Sequence, residues 1–528
     1  MLNSAVKTNE QMDIQVYDVE KCFDALWLHG CISDLYDKGL TSDKLNLVYQ
    51  GNSNAKVAIK NGTRLSDRFN IENVVMQGSV WGSLMCTATM SKIGENAYSD
   101  PKLCYKYKGA VNIPPLGMID DLLCIQKCNK SITINSTVNS FIEANKLNLS
   151  HTKCAQIHIG KDNITCPELK VHSHSMNKSK KEKYLGDYIT SSGNNKENIT
   201  ERVNKGYAII SEINNILNEI PLGRYRVDIG LRLRQAMFIN ATLFNSEAWH
   251  NVTISDIIRL EKVDECLLRR ILKCHSKSPL EYLYLETGTM PLRFIIACRR
   301  LNYLHTILKR NDGELTKQVL LAQKNNPCKG DFIQLVTQDG KNLGVNVEHI
   351  DKISKQGLKR IVKEKAREAA FRYLLEMKTK HSKGQEIKYK DLALQRYLKS
   401  TLFSNEEAIL LFALRTRTSK HFKANFPTLN KSCMHCPLRC WGTGEQPSID
   451  TQAHILECKK LPQSRTNAIA TEKVEYSHIF SEIKKQKEVV VVIKQLLEEK
   501  EKLCPPEDKL DPITVSSLCC SNNNHYAY

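Results

Sequence analysis

Two short acidic stretches decide the fold of this chain: YDVEKCFD at residues 17–24 and MIDDL at residues 118–122. The apolar and polar residues that alternate just before the first stretch predict a β-strand that ends at Asp18. Apolar residues on both sides of Asp120 and Asp121 predict two short strands that meet at this acidic pair. Because neighbouring strands lie about 4.8 Å apart, the three carboxylates converge if both elements pair in one sheet.

Convergent carboxylates suit a site for two divalent cations. Two ions held about 4 Å apart can lower the pKa of an attacking hydroxyl and stabilise a leaving pyrophosphate, which is the chemistry of nucleotidyl transfer. Mg²⁺ is the expected ion, because it prefers hard oxygen ligands and shares its coordination shell with phosphates. The alternative is an ordinary solvated acidic turn, which is the common fate of an Asp-Asp pair.

The overall charge of the chain favours a polyanionic partner. Among its 528 residues, Lys and Arg outnumber Asp and Glu by 76 to 57, which gives a net charge of +19. The basic residues are spread along the chain in pairs, which predicts a folded basic surface for phosphate groups, although an anionic membrane surface would also attract it.

The sequence contains no apolar stretch that could cross a membrane. Its longest apolar run, residues 408–414, is too short, and the polar start lacks the apolar core of a signal peptide. We therefore expect no membrane partner and an intracellular location, in the nucleus or the cytoplasm. The 19 cysteines are then expected to be reduced thiols, some of them metal ligands.

The pattern of apolar residues predicts an α+β fold with four regions. Strands and helices alternate in residues 1–195, and amphipathic helices dominate residues 196–400. A Cys- and His-rich element follows at residues 401–465, and a helix with a polar tail occupies residues 466–528.

Five segments resemble, in the correct order, the motifs of reverse transcriptases from non-LTR (LINE-type) retrotransposons. They are YDVEKCFD at 17–24, QGSVWGS at 77–83, MIDDL at 118–122, NLSHTK at 148–153 and KYLG at 183–186. The resemblance implies a polymerase palm in residues 1–195, built as an antiparallel sheet with packed helices. It also implies a helical thumb and connection in residues 196–400.

The resemblance also assigns roles to single residues. Asp18, Asp120 and Asp121 would hold two Mg²⁺ ions, and Lys153 would protonate pyrophosphate. The remaining assignments are contacts with the nucleotide or the primer: Phe23 as a steric gate against the ribose 2′-hydroxyl, Gln77 and Gly78 at the nucleotide, and Tyr184, Leu185 and Gly186 as the primer grip. From the residues alone, Phe23 could equally be a core aromatic, and a solvated lysine is the commoner fate of a residue such as Lys153.

The sequence departs from the family pattern in three places. Met118-Ile119 precedes the acidic pair where many members have an aromatic residue and alanine, and the Gln-Gly loop lacks a proline that often follows its serine. Family members carry a fingers region before the first motif, which begins here at Tyr17, so we expect a chain without fingers. This leaves two alternatives to a polymerase: a catalytically dead retroelement fragment that only binds nucleic acid, and a metal-dependent nuclease.

A second constellation has the spacing of a structural zinc site. Cys433, Cys436, His454 and Cys458 provide two pairs of ligands for tetrahedral coordination, although His435 or Cys440 could substitute. LINE-type enzymes commonly carry such an element after the thumb. There it would hold RNA or target DNA, with phosphate contacts from nearby basic residues: Arg415, Arg417, Lys420 and Lys423. The expected partners are therefore an RNA template, a DNA primer or target, and dNTPs.

Overall fold

The structure is a computed structural model of the chain. It describes residues 2–8, 10–53, 55–71, 75, 78–79, 81–160, 167–219, 226–380, 385–419, 421–422, 451–458, 461 and 475–503. The chain folds into two compact units. The first contains residues 1–198, 248–252 and 304–338, and the second contains residues 199–247, 253–303 and 339–528.

All of the described strands belong to the first unit. They are β1 Met12–Tyr17, β2 Ala55–Val57, β3 Lys60–Asn61, β4 Arg64–Leu65, β5 Phe69–Ile71, β6 Tyr105–Tyr107, β7 Val111–Ile113, β8 Leu116–Met118, β9 Asp121–Lys127, β10 Ala155–Ile159, β11 Lys170–Val171, β12 His174–Ser175, β13 Asn177–Lys178, β14 Lys181–Tyr184 and β15 Asp187–Thr190.

Helices occur in both units and dominate the second. They are α1 Leu2–Thr8, α2 Cys22–Ala25, α3 Leu28–Asp37, α4 Ser42–Asn52, α5 Gly82–Ser99, α6 Ser131–Ala144, α7 Lys196–Glu219, α8 Arg226–Leu233, α9 Asn240–Thr242, α10 Ile254–Leu272, α11 Leu280–Thr287, α12 Leu292–Leu308, α13 Leu315–Asn325, α14 Phe332–Leu343, α15 Lys355–Thr379, α16 Arg396–Lys399, α17 Asn405–Arg415, α18 His454–Glu457 and α19 Ile483–Leu503. Residues 234–239 form a π-helical turn between α8 and α9. Among the described helices, none has both the length and the apolar composition needed to cross a bilayer.

A five-stranded sheet forms the centre of the first unit, with the strand order β13-β10-β1-β9-β8. β1 pairs antiparallel with both β9 and β10, and β8 pairs antiparallel with β9. The expected purely antiparallel sheet is corrected at one edge, because the two-residue strand β13 runs parallel to β10. The first unit is thus a mixed sheet with helices, and a largely helical part follows it, which confirms the predicted α+β class.

Both faces of the central sheet are buried. On one face, Tyr17, Leu122 and Cys124 belong to a core cluster shared with helices α5 and α6. On the other face, apolar residues of β1, β9 and β10 pack with Tyr105 and Tyr107 of the β6–β7 hairpin. Since alternate residues of a strand point to opposite faces, both sets of side chains on β1 leave water.

Cysteines of the described segments, from Cys22 to Cys458, are free thiols, as the sequence predicted. Two of them, Cys22 in α2 and Cys86 in α5, lie with their Sγ atoms 3.4 Å apart in the core of the first unit. Thiols of this kind pack as small apolar side chains.

Candidate active site

The pairing of β1 with β9 brings the two acidic stretches together. Tyr17 lies opposite Leu122, and Met118 pairs with Asp121 across the β8–β9 turn. Asp18 is the first residue beyond Tyr17, so its backbone lies beside that of Asp121 at the same end of the sheet. Asp18, Asp120 and Asp121 therefore meet at the edge where β1 ends and the β8–β9 hairpin turns.

The electrostatics of this edge fit a cation site. Partial burial raises the pKa of the Asp121 carboxyl, and the negative charges of Asp120 and Asp18 raise it further. Like charges that are held together disfavour ionisation, and a bound cation relieves that repulsion. The three groups offer only carboxylate oxygens, which is the donor set that Mg²⁺ prefers.

Lys153 supplies a positive charge to the same edge. Its Nζ atom lies 3.3 Å from Oδ2 of Asp18, and both side chains remain accessible to solvent. The backbone around it is tied to the first acidic stretch, because the amide of Ser150 donates to the carbonyl of Asp18 at 2.9 Å. The segment 148–153 is thereby held against the end of β1.

The turn that presents Asp120 is strained. Ile119 has a φ angle of 60°, in the left-handed region that β-branched residues rarely adopt. Such a conformation costs about 1–2 kcal/mol, and it is compensated here by the packing of Ile119 against the core cluster of the first unit. Met118-Ile119 departs from the family pattern in the sequence, but only the structure shows that Ile119 adopts the left-handed conformation of the turn.

Tyr184 joins the β14–β15 hairpin to the acidic edge. Its hydroxyl donates to the carbonyl of Leu116 at 3.2 Å, on the strand that leads to the acidic turn. Burial, followed by the negative charge of Asp121, raises the pKa of Tyr184 to about 12. The expected primer-grip segment thus lies close to the carboxylates.

The comparison with protein families agrees with this geometry. Residues 3–189 match the family described as reverse transcriptase (RNA-dependent DNA polymerase). This segment is a reverse transcriptase domain. The match covers less than half of the chain, and no curated protein is significantly similar to it in sequence.

Among solved structures, the chain is similar to telomerase from Candida albicans, whose structure contains a TWJ fragment of telomeric RNA. The two are 12% identical, and the similarity covers 52% of this chain and 48% of the telomerase chain, with a TM-score of 0.25. The chain therefore spans less than half the length of that telomerase chain.

The expected nucleotide contacts of the reverse transcriptase domain are only partly described. Phe23 is half-buried and packs against the core cluster of the domain. Gly78 is exposed with a φ angle of 85°, a conformation that favours glycine, and a Cβ atom there would meet nothing within 4 Å. Gln77 lies outside the described residues.

The β14–β15 turn places a leucine where its backbone is unfavourable. Leu185 and Gly186 have φ angles of 47° and 84°, the positive pair that defines a type I′ hairpin turn, and Asn-Gly is the preferred sequence there. We expect Leu185→Asn to raise the free energy of unfolding by about 1 kcal/mol, measured by urea denaturation. Leu185→Ala is the matched control, because it shortens the side chain but keeps the unfavourable φ. An equal rise in the free energy of unfolding in both variants would contradict the unfavourable φ angle of Leu185 as the cause.

The predicted zinc element is described only in part. Cys433 and Cys436, like the substitute ligands His435 and Cys440, lie outside the described residues. His454 begins the short helix α18, and Cys458 is buried just after it. The element remains a prediction.

One predicted phosphate contact is wrong. Arg415 is 5% exposed and forms a buried ion pair with Glu286, with Nε 3.2 Å from Oε1. A guanidinium that is paired and removed from water cannot also bind a nucleic-acid backbone at the surface. Arg417 is accessible but pairs with Glu386, and Lys420 and Lys423 lie outside the described residues.

Sequence reasoning missed one polar cluster in the reverse transcriptase domain. Asp13, Cys128 and His158 place three potential metal-ligand atoms within 4.8 Å of one another. The carboxylate oxygens of Asp18, Asp120 and Asp121 do not all lie that close to one another. The signal in the sequence was weak, because the three residues are far apart along the chain. The available clue was a charged residue, Asp13, at the start of a predicted strand.

Proposed function

We propose that the chain is an RNA-directed DNA polymerase of a non-LTR retrotransposon, which transfers nucleotides from dNTPs to a primer 3′-hydroxyl on an RNA template. One observation carries the proposal: the β1–β9 pairing brings Asp18 beside the Asp120-Asp121 turn within a reverse transcriptase domain. The KYLG hairpin and the spacing of the four zinc ligands support the non-LTR class.

In this proposal Asp18, Asp120 and Asp121 hold two Mg²⁺ ions. When bound, the ions would supply Lewis acidity to the attacking hydroxyl and to the leaving pyrophosphate. The raised pKa of Asp121 supports this role, because part of it comes from the negative charges of Asp120 and Asp18. A bound cation would relieve that repulsion. Phe23 would exclude the ribose 2′-hydroxyl, and Gln77 and Gly78 would contact the nucleotide.

Lys153 would deliver a proton to pyrophosphate. Its ammonium group lies 3.3 Å from Asp18, is largely exposed, and stands on a segment whose backbone is fixed to β1. An exposed amine held beside the acidic edge is accessible to an incoming triphosphate. A positioned acid of this kind contributes typically about 10²- to 10⁴-fold to a rate.

We therefore expect Lys153→Ala to lower the rate of single-nucleotide incorporation by about 10²-fold or more. Its stability should change by less than about 1 kcal/mol, because an exposed ion pair contributes little. Rapid-quench kinetics and urea denaturation measure the two effects. Lys106→Ala removes an exposed lysine from β6 and is the matched control. An incorporation rate like that of the control would remove Lys153 from the mechanism.

The remaining regions are assigned by the same proposal. Residues 1–195 form the palm, residues 196–400 the thumb and connection, residues 401–465 a zinc element, and residues 466–528 a terminal helix and tail. The net charge of +19 supports RNA and DNA as partners, since phosphate neutralisation drives such binding. Tyr184, Leu185 and Gly186 would contact the primer.

Primer extension tests the proposal. The full chain is incubated with a primed RNA template, dNTPs and Mg²⁺, beside Asp120→Ala and Asp121→Ala. We expect synthesis by the wild type and none by the variants. Template binding without synthesis by any of the three proteins would instead support a fragment that only binds nucleic acid. Degradation of the substrate without synthesis would support a nuclease.

A further inference from the structure

A row of buried polar side chains crosses the central sheet away from the acidic edge. Asp13 on β1 lies directly opposite His158 on β10 and opposite Gln126 on β9. Cys128 begins the 3₁₀ turn that follows β9, and its Sγ atom contacts both Asp13 and His158. Asp13 precedes Asp18 by five residues, which separates the row from the acidic edge by about 16 Å along the strand.

Three atoms in this row form a compact triangle. The Cys128 Sγ atom lies 3.3 Å from Nδ1 of His158 and 3.7 Å from Oδ1 of Asp13, and Nδ1 lies 3.4 Å from Oδ1. Zinc–ligand bonds of about 2.0 Å to nitrogen or oxygen and about 2.3 Å to sulfur give tetrahedral edges of about 3.3–3.5 Å. The three observed distances lie within about 0.2 Å of the edges of one face of such a tetrahedron.

The carboxylate is oriented for this arrangement. The side-chain amide of Gln156 donates to Oδ2 of Asp13 at 2.8 Å, which leaves Oδ1 directed toward Cys128 and His158. Polar partners that hold one atom of a ligand and direct the other toward the ion are typical of metal sites. Gln156 is 2% exposed, so its hydrogen bond is shielded from competing water.

Burial requires that the charge in this row is compensated. Asp13 is fully buried on the central strand, and a buried carboxylate is costly unless a cation or several donors face it. The His158 side chain is 24% exposed, which gives the row a route to solvent. A metal ion could enter by this route.

We propose that Asp13, Cys128 and His158 form a zinc site, in which they supply three of the ligands. The mixed oxygen, sulfur and nitrogen donors select zinc over Mg²⁺, which prefers oxygen alone. Binding replaces the proton of the Cys128 thiol, and that proton is released to solvent. The ion would tie the turn after β9 to β1 and β10. This site does not depend on the polymerase proposal.

The competing explanation is a metal-free network in which His158 pairs directly with Asp13. Metal analysis of the full chain separates the two. Three proteins are loaded with Zn²⁺, freed of excess metal and analysed for bound zinc. They are the wild type, the site variant Cys128→Ser/His158→Gln and the control variant Cys124→Ser/His172→Gln. Cys124 is a buried thiol on β9, and His172 is an exposed histidine of the same domain. All three proteins retain the predicted C-terminal zinc ligands, so any zinc bound there contributes equally and does not affect the difference in zinc content between them.

We expect the site variant to hold one zinc equivalent per chain less than both the wild type and the control. Equal zinc content in all three would overturn the site. Co²⁺ substitution gives a second readout, because the thiolate-to-cobalt absorption from Cys128 should be missing from the site variant alone.

Gln156→Ala keeps all three ligands and provides a test if the site variant does not fold. A residue that orients Asp13 should weaken zinc binding by about 10- to 100-fold when it is removed. Competition with a chromophoric chelator measures that affinity. If Gln156→Ala bound zinc as tightly as the wild type, the zinc site would be overturned and the cluster of Asp13, Cys128 and His158 would be explained as a metal-free network.

Discussion

Asp121→Asn is expected to lower primer extension by about 10³-fold, which corresponds to about 4 kcal/mol of transition-state stabilisation. The amide keeps the size of the side chain but removes one anionic ligand from the proposed Mg²⁺ site. The same change should raise the melting temperature of the metal-free protein, since burial and the charges of Asp120 and Asp18 raise the pKa of the Asp121 carboxyl. Single-turnover kinetics and thermal denaturation in a chelator measure the two effects.

The pH dependence of this effect has a definite sign. Because the pKa of Asp121 is higher in the folded state than in the unfolded chain, the fold favours the protonated carboxyl. The metal-free wild type should therefore lose stability as the pH rises from the ordinary pKa of an aspartate through the raised folded value. The asparagine variant should lack this loss, and added Mg²⁺ should restore stability only to the wild type.

Glu143→Gln makes the same acid-to-amide change at an exposed position of α6 and is the matched control. It should leave both activity and the Mg²⁺ response unchanged. Wild-type extension rates in Asp121→Asn would exclude Asp121 as a metal ligand.

Asp264→Ala is expected to lower the free energy of unfolding of the helical second unit by about 3–5 kcal/mol. Arg234 donates to Asp264 through Nε and through one terminal nitrogen, both at 2.6 Å, and Tyr284 donates to the same carboxylate at 3.1 Å. Burial by itself would lower the pKa of Arg234, but the charge of Asp264 raises it. Removal of the carboxylate leaves a buried guanidinium without its counter-ion, and urea denaturation measures the loss.

Asp228→Ala is the matched control for this pair. Asp228 forms an ion pair with Arg232 one helical turn away on α8, at 3.0 Å, and the arginine side chain is 79% exposed. Solvent screening reduces such a pair to about 0.5 kcal/mol or less. Similar losses in both variants would show that burial does not decide the contribution of the Arg234–Asp264 pair.

The local sequence was sufficient to predict most of the elements that form the acidic edge. Alternation before Asp18 predicted a strand over residues 13–18, and the structure has it as Met12–Tyr17. The apolar residues around Asp120 and Asp121 predicted the hairpin that is observed. After the first acidic stretch the chain forms two helices, Cys22–Ala25 and Leu28–Asp37, which are separate because Leu26 and Trp27 are extended.

By itself, the sequence determined the α+β class, because this depends on periodicity within short segments. It also offered the residues for catalysis, most of them through the resemblance of five short motifs to those of reverse transcriptases. Only the tertiary structure decided which distant side chains meet. It placed Arg415 in a buried pair with Glu286 and not at the surface. It also joined Asp13 of β1, His158 of β10 and Cys128 of the turn after β9. Strand register and burial fix such contacts, and both arise from packing between segments that are remote in the chain.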